Sequence, residues 1–164
     1  MRPYPAILAR LRSLDLSRFD TDVRMQAAVD AFWEFLAPTG VSWIGFYTKP
    51  TGRDEMILGP RRDKPACSPL GMHGACGRCW KERRPLVIPD VATLGAGYVA
   101  CDPRDRSEVV VPLFAGDGSC WGVLDGDSYD VGAFDESDAD GLTEAVELLR
   151  LTSTPRGIPM PLVL

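Results

Sequence analysis

The feature that most restricts the fold is a change of hydrophobic period at Pro38-Thr39-Gly40. Upstream, Asp20 or Thr21 caps a segment in which Val23, Ala27, Phe32, Phe35 and Leu36 recur at roughly helical spacing, which predicts a helix through about Ala37. Downstream, Val41 to Tyr47 reads as a strand, Pro50-Thr51-Gly52 as a turn, and Glu55 to Leu58 as the returning strand of a hairpin. The rest continues in kind. A short helix is expected over 5–14, irregular chain from Gly59 to Gly74, a helix over 75–84, a strand at Leu86-Val87-Ile88 and a Gly-rich loop over 90–105. Glu108 to Phe114 and Cys120 to Leu124 are two more strands, joined across Ala115-Gly116-Asp117-Gly118, and a last helix runs from near Asp135 to Leu151. Helices alternating with strand pairs predict an α+β fold: an antiparallel-dominated sheet with helices packed on it, not a doubly wound sheet. At 164 residues there is room for one core. The expected organisation is an N-terminal segment over 1–19, a domain over 20–152 and a Pro-rich tail over 153–164.

Charge narrows the function classes. Eighteen basic and 23 acidic residues give a net charge of −5, which lacks the basic footprint of a nucleic-acid binder. Residues 102–147 hold 13 Asp and Glu against Arg104 and Arg106 alone, so this part faces something cationic. No run approaches the ~20 apolar residues of a membrane span, and Met1-Arg2-Pro3-Tyr4 opens no signal peptide, so the expected location is cytoplasmic. The single histidine, His73, removes every site that needs two imidazoles.

Three sets of side chains carry possible chemistry. On the strand Val41 to Tyr47, alternation puts Val41, Trp43 and Tyr47 on one face with Gly45 between the aromatics, and Ile44 and Phe46 on the other. The aromatic pair reads either as core or as a slot for a small apolar group. At the end of the last strand, Asp125 and Asp127 stand at i and i+2 on one face, and Glu108 begins the partner strand. Like charges so placed suit Mg²⁺ or Ca²⁺, a substrate ammonium, or a solvated turn.

The third set is the cysteines: Cys67, Cys76, Cys79, Cys101 and Cys120. The first four could ligate zinc, although only Cys76-Gly77-Arg78-Cys79 has paired spacing. That pair also reads as a redox dithiol without the strand and helix context of thioredoxin. Alternatively, cysteines distant in sequence meet as nucleophile and resolving thiol. Cys120 in a strand, and Cys79 on the outer turn of a helix, suit inert thiols.

Taken in order, several strings resemble the free methionine-(R)-sulfoxide reductases, small enzymes with a GAF-like fold. They are Trp43-Ile44-Gly45-Phe46-Tyr47, Pro65-Ala66-Cys67, Gly74-Ala75-Cys76-Gly77, Pro89-Asp90-Val91 and Val99-Ala100-Cys101-Asp102. Arg106-Ser107-Glu108-Val109-Val110-Val111-Pro112, Gly122-Val123-Leu124-Asp125-Gly126-Asp127-Ser128 and Phe134-Asp135-Glu136 continue the match, which spans roughly residues 41–150. The resemblance implies Cys101 as the catalytic cysteine, with Cys67 and Cys76 as the other redox cysteines. It implies Trp43 and Tyr47 as walls for the substrate's methyl-bearing end, and Glu108, Asp125 and Asp127 as the acidic cluster around free methionine sulfoxide. It further implies a sulfenic acid resolved by Cys67 or Cys76, recycling by a thioredoxin-like dithiol, a homodimer, and neither metal nor organic cofactor. Tyr98 stands where the family carries a histidine, and Gly126 where it carries an isoleucine. Two rival readings are a GAF-type ligand-binding module without chemistry and a zinc-stabilised interaction protein.

Overall fold

A computed structural model describes residues 2–95, 98, 100–155 and 157–164; Val99, part of the string around Cys101, lies outside the described residues. Helix α1 (Tyr4–Arg12) is followed by α2 (Thr21–Leu36), whose first turn is capped by the Asp20 carboxylate accepting from the Val23 N–H at 3.0 Å. Gly40, at φ 97°, ends the short 3₁₀ turn after α2 in a conformation that glycine adopts freely. Strand β1 (Val41–Thr48) begins there and pairs antiparallel with β2 (Glu55–Arg62), which pairs in turn with β3 (Leu70–Gly71). Helix α3 (Ala75–Glu82), β4 (Leu86–Ile88), β5 (Ser107–Phe114), β6 (Cys120–Ser128), α4 (Glu136–Leu148) and β7 (Leu162–Val163) complete the order.

The sheet runs β3-β2-β1-β6-β5-β4-β7 and is antiparallel except where β7 joins β4. The α+β expectation therefore holds, and the Pro-rich tail contributes one edge strand. Helices α1, α2 and α4 cover one face, where Leu11, Val29, Phe32, Leu142 and Val146 meet Ile44, Phe46, Val109, Val111 and Leu124. The other face carries α3 and the loops around it, packed on Trp43, Tyr47, Val110 and Val123. Every residue of β5 is buried, because a central strand roofed on both faces needs apolar side chains in continuous run rather than alternation.

Four local expectations are corrected. Val41 packs with Ile44 and Phe46, not with Trp43, because the register with β6 slips between Val41 and Trp43 and the bulge turns the side chain over. Val23 is 42% exposed; the buried stripe of α2 is Met25, Ala28, Val29, Phe32 and Leu36. Strand β2 extends to Arg62 and β6 to Ser128, since both gain ladder partners that composition alone does not reveal. Cys79 is fully buried, its sulfur against the carbonyls of Arg84 and Val110 at 3.3 and 3.6 Å.

Close approach of the chain to the start of α3 depends on one glycine. A Cβ on Gly77 would sit 2.3 Å from the Met72 carbonyl oxygen, so α3 can lie this near only without a side chain there. Gly77→Ala will cost about 1–3 kcal/mol of overpacking and lower the melting temperature by several degrees, read by thermal denaturation.

Candidate active site

The site is built where two central strands and α3 converge. Register places Glu108 of β5 directly opposite Asp127 of β6, and Asp125 two residues back on the same face, opposite Val110. The sequence put only Asp125 and Asp127 on one face; the register adds Glu108 to them. Cys76, the second residue of α3, points down at them: its S–H donates to Asp125 Oδ2 at 3.3 Å. From β1, Trp43 and Tyr47 stand with ring centroids 6.0 Å apart. Gly45 does not leave an open slot between them, since a Cβ there would lie 2.5 Å from the Trp43 ring. The indole lies across the glycine instead, and the two rings wall a cavity of about 40 Å³ that reaches Cys76, Cys101 and the acids.

Exposed Cys67 is carried on a loop that these aromatics hold. The Trp43 indole N–H donates to the Lys64 carbonyl at 3.0 Å, and the Tyr47 hydroxyl donates to the Cys67 carbonyl at 3.0 Å, which pins the segment bearing Cys67 over β1. Facing it, the Cys101 thiol lies beside Cys67 and lines both this cavity and a second one of about 120 Å³. A charged clasp joins the two loops. Asp102 accepts from Lys64 Nζ at 2.5 Å, from Arg104 Nη2 at 2.8 Å and from the Tyr129 hydroxyl at 3.1 Å. Lys64 and Arg104 both lie over the Tyr129 ring, within 4.8 and 4.6 Å of its centroid.

The electrostatics are dominated by burial. Desolvation pushes the Glu108 carboxyl up to about 7, against the lowering effect of the Tyr98 hydroxyl that donates to it. Asp125 is raised by burial and then by the charge of Glu108; Asp127 by burial and then by Asp125. Burial, with Asp102 next, lifts Asp105 to about 6. Burial and mutual repulsion outweigh the lowering effect of Lys64 on Asp105 and Asp127, so these crowded carboxyls hold protons near neutrality. Although the residue is exposed, its thiol is about half withdrawn from water; that desolvation first, and the adjacent Cys67 thiol second, push Cys101 up to about 12, so it rests as a thiol. Cys76 is raised by burial and by Asp125.

All eight side chains singled out from the sequence thus border one region, Cys67 through its contact with Cys101 and Tyr47. Sequence reasoning gives no role to three contributors, although it notes Tyr98. Tyr98 lines the cavity and holds Glu108, Asp105 is buried at its rim, and Lys64 closes the clasp. An aromatic three residues before Cys101 and an acid three residues before Glu108 were visible signals; nothing in the sequence marked Lys64. The four-cysteine zinc site is not assembled, because Cys79 faces backbone carbonyls in the core, away from Cys67 and Cys101.

The GAF domain family matches residues 20–151, four-fifths of the chain in the region that carries this site. The chain belongs to the GAF domain family. Its fold is similar to that of the free methionine-R-sulfoxide reductase of Neisseria meningitidis, solved in complex with its substrate, with 34% identity and a TM-score of 0.81 over 89% of this chain and 85% of that one. By sequence this GAF domain is 38% identical over 108 residues to GAF domain-containing protein A of Dictyostelium discoideum, covering 65% of this chain and 66% of that protein. It is 35% identical over 111 residues to the free methionine-R-sulfoxide reductase of Saccharomyces cerevisiae, covering 66% of this chain and 61% of the yeast protein. The GAF domain thus spans slightly less than two thirds of these two curated relatives, and within the family it groups with the free methionine-R-sulfoxide reductases. Among the described residues, no helix is long and apolar enough to cross a membrane.

Proposed function

We propose that the protein reduces free L-methionine-(R)-sulfoxide to methionine, with Cys101 as nucleophile. One observation carries the reading: a thiol, Cys101, borders a cavity that has aromatic walls on one side and buried, proton-holding carboxyls on the other. A sulfoxide needs both. Its methyl group is apolar and small, and its oxygen must be protonated to leave sulfur. The acids also suit the ammonium of a free amino acid.

In the proposed step the Cys101 sulfur attacks the sulfoxide sulfur while a protonated member of the Glu108, Asp125 and Asp127 group donates to the oxygen. The oxygen passes to Cys101. Methionine leaves reduced by two electrons, Cys101 becomes a sulfenic acid, and the thiol proton returns to the carboxyl group. The neighbouring Cys67 thiol then attacks Cys101, forming a disulfide and releasing water. Cys76 is the less suited resolving thiol, since its S–H is engaged by Asp125. A thioredoxin-like dithiol reduces the disulfide, which fits a reducing, cytoplasmic setting. Exposed Phe19 and Val23 at the start of α2 offer apolar surface for the homodimer that the resemblance implies.

The test is methionine formation from each sulfoxide epimer in turn, with a dithiol reductant. Turnover of the (R) epimer alone is expected. Saturable binding of either epimer without methionine release would instead make this a ligand-binding GAF module.

The clasp has its own consequence. Asp102→Asn removes the charge that ties Lys64 to the Cys101 loop, so loss of the second thiol should slow several-fold while the first methionine forms at the wild-type rate. Stopped reactions, assayed in parallel for methionine and for free thiols, check this.

A further inference from the structure

Cys76, Glu108 and Asp125 project from three different elements, α3, β5 and β6, and one ligand atom of each lies within 4.8 Å of the other two. All three are buried, with 3, 4 and 6% of their surface exposed. The separation of Cys76 Sγ from Asp125 Oδ2 is 3.3 Å. Zn–S and Zn–O bonds of ordinary length, set at the tetrahedral angle, place a sulfur and an oxygen ligand about 3.5 Å apart. A second observation is independent of that spacing. Asp125 Oδ1 is buried and meets no N–H or hydroxyl donor among the described residues, and the Asp125 carboxyl, which borders the cavity, lies within proton-sharing reach of Glu108. An orphaned carboxylate oxygen in such a place calls for a proton or a cation. Among the described residues, no lysine or arginine lines this cavity.

We propose that these three side chains form a zinc site: one thiolate and two carboxylate ligands on rigid elements, with the fourth position open to the cavity between Trp43, Tyr47 and Tyr98. The donor set selects the metal. A thiolate favours borderline-soft Zn²⁺, whereas Mg²⁺ and Ca²⁺ take oxygen ligands only. On binding, Cys76 and any protonated carboxyl release their protons to water, and Zn²⁺ is neither oxidised nor reduced. Resting on the reductase reading, a further consequence follows: zinc occupies the carboxyls that would protonate the sulfoxide, so it inhibits competitively with sulfoxide.

The direct test uses Co²⁺ as a spectroscopic stand-in and equilibrium dialysis against Zn²⁺, on protein kept reduced with a phosphine that does not chelate as dithiols do. One equivalent of metal per chain and a thiolate-to-cobalt charge-transfer band are expected. Cys76→Ala should lose the band and Asp125→Asn should weaken binding at least tenfold, while the Cys67→Ser/Cys101→Ser double variant keeps both. No bound metal, or a band that survives Cys76→Ala, overturns the site. Inhibition is read separately, as methionine formed by pre-reduced protein with and without one equivalent of Zn²⁺; unchanged methionine overturns the inhibitory role. If metal-free protein makes no methionine from either epimer, the reductase reading fails while the cobalt band still decides the site.

Discussion

Cys101→Ser will abolish methionine formation, with a loss of at least three orders of magnitude in kcat. A serine hydroxyl is a far poorer nucleophile than a thiol and cannot carry the transferred oxygen as a sulfenic acid. The fold will be unaffected, because Cys101 is an exposed loop residue outside both hydrophobic cores. Cys67→Ser gives the contrasting phenotype: one methionine per chain is made at the normal rate, and turnover then stalls with Cys101 oxidised. Thermal melts together with burst and steady-state assays separate the two variants. A first methionine still formed by Cys101→Ser would assign the attack to something other than Cys101.

Glu108→Gln and Asp125→Asn will each lower kcat by about 10²–10⁴, the range expected for loss of a positioned proton donor. In the metal-free protein the pH dependence has a definite sign. Burial raises Glu108 from 4.5 to about 7, and raises Asp125 and Asp127 in the same direction, so activity falls as pH rises through 7 and the donor is lost. Stability follows the same course. A carboxyl whose folded-state pKa exceeds its unfolded value binds more protons when folded, so its stabilising contribution is complete below about 4.5 and declines as pH climbs toward 7. The melting temperature is therefore expected to be higher near pH 5 than near pH 8. Either amide variant should flatten that slope, because a neutral side chain removes one buried charge from the cluster. A melting temperature that rises from pH 5 to pH 8 would contradict the burial-driven assignment.

The sequence announced the parts of this site more clearly than their assembly. Asp20 and the Pro38–Gly40 stop are local signals, and α2 follows them closely. Asp125 and Asp127 were legible as a same-face pair, but not as lying within a strand. Asp and Gly are poor strand formers, and Asp125-Gly126-Asp127 is extended only because β1 and β5 pair with it on both sides. The orientation of Val41 was hidden because a bulge breaks the alternation that sequence patterns assume. The burial of Cys79 was hidden because α3 turns the face that carries it onto β5, a long-range contact that no short-range pattern places. Lys64 and Asp102 are 38 residues apart, and their ion pair depends on two loops meeting. The conjunction of Cys67 with Cys101 entered through the family resemblance rather than through spacing.

A single turnover without added reductant addresses the central claim most directly. Fully reduced protein is mixed with one equivalent of L-methionine-(R)-sulfoxide, and methionine, free thiols and disulfide-linked peptides are then measured together. One equivalent of methionine, two thiols lost and a Cys67–Cys101 crosslink are predicted. No methionine, or methionine formed while the Cys101 thiol stays free, would contradict the account.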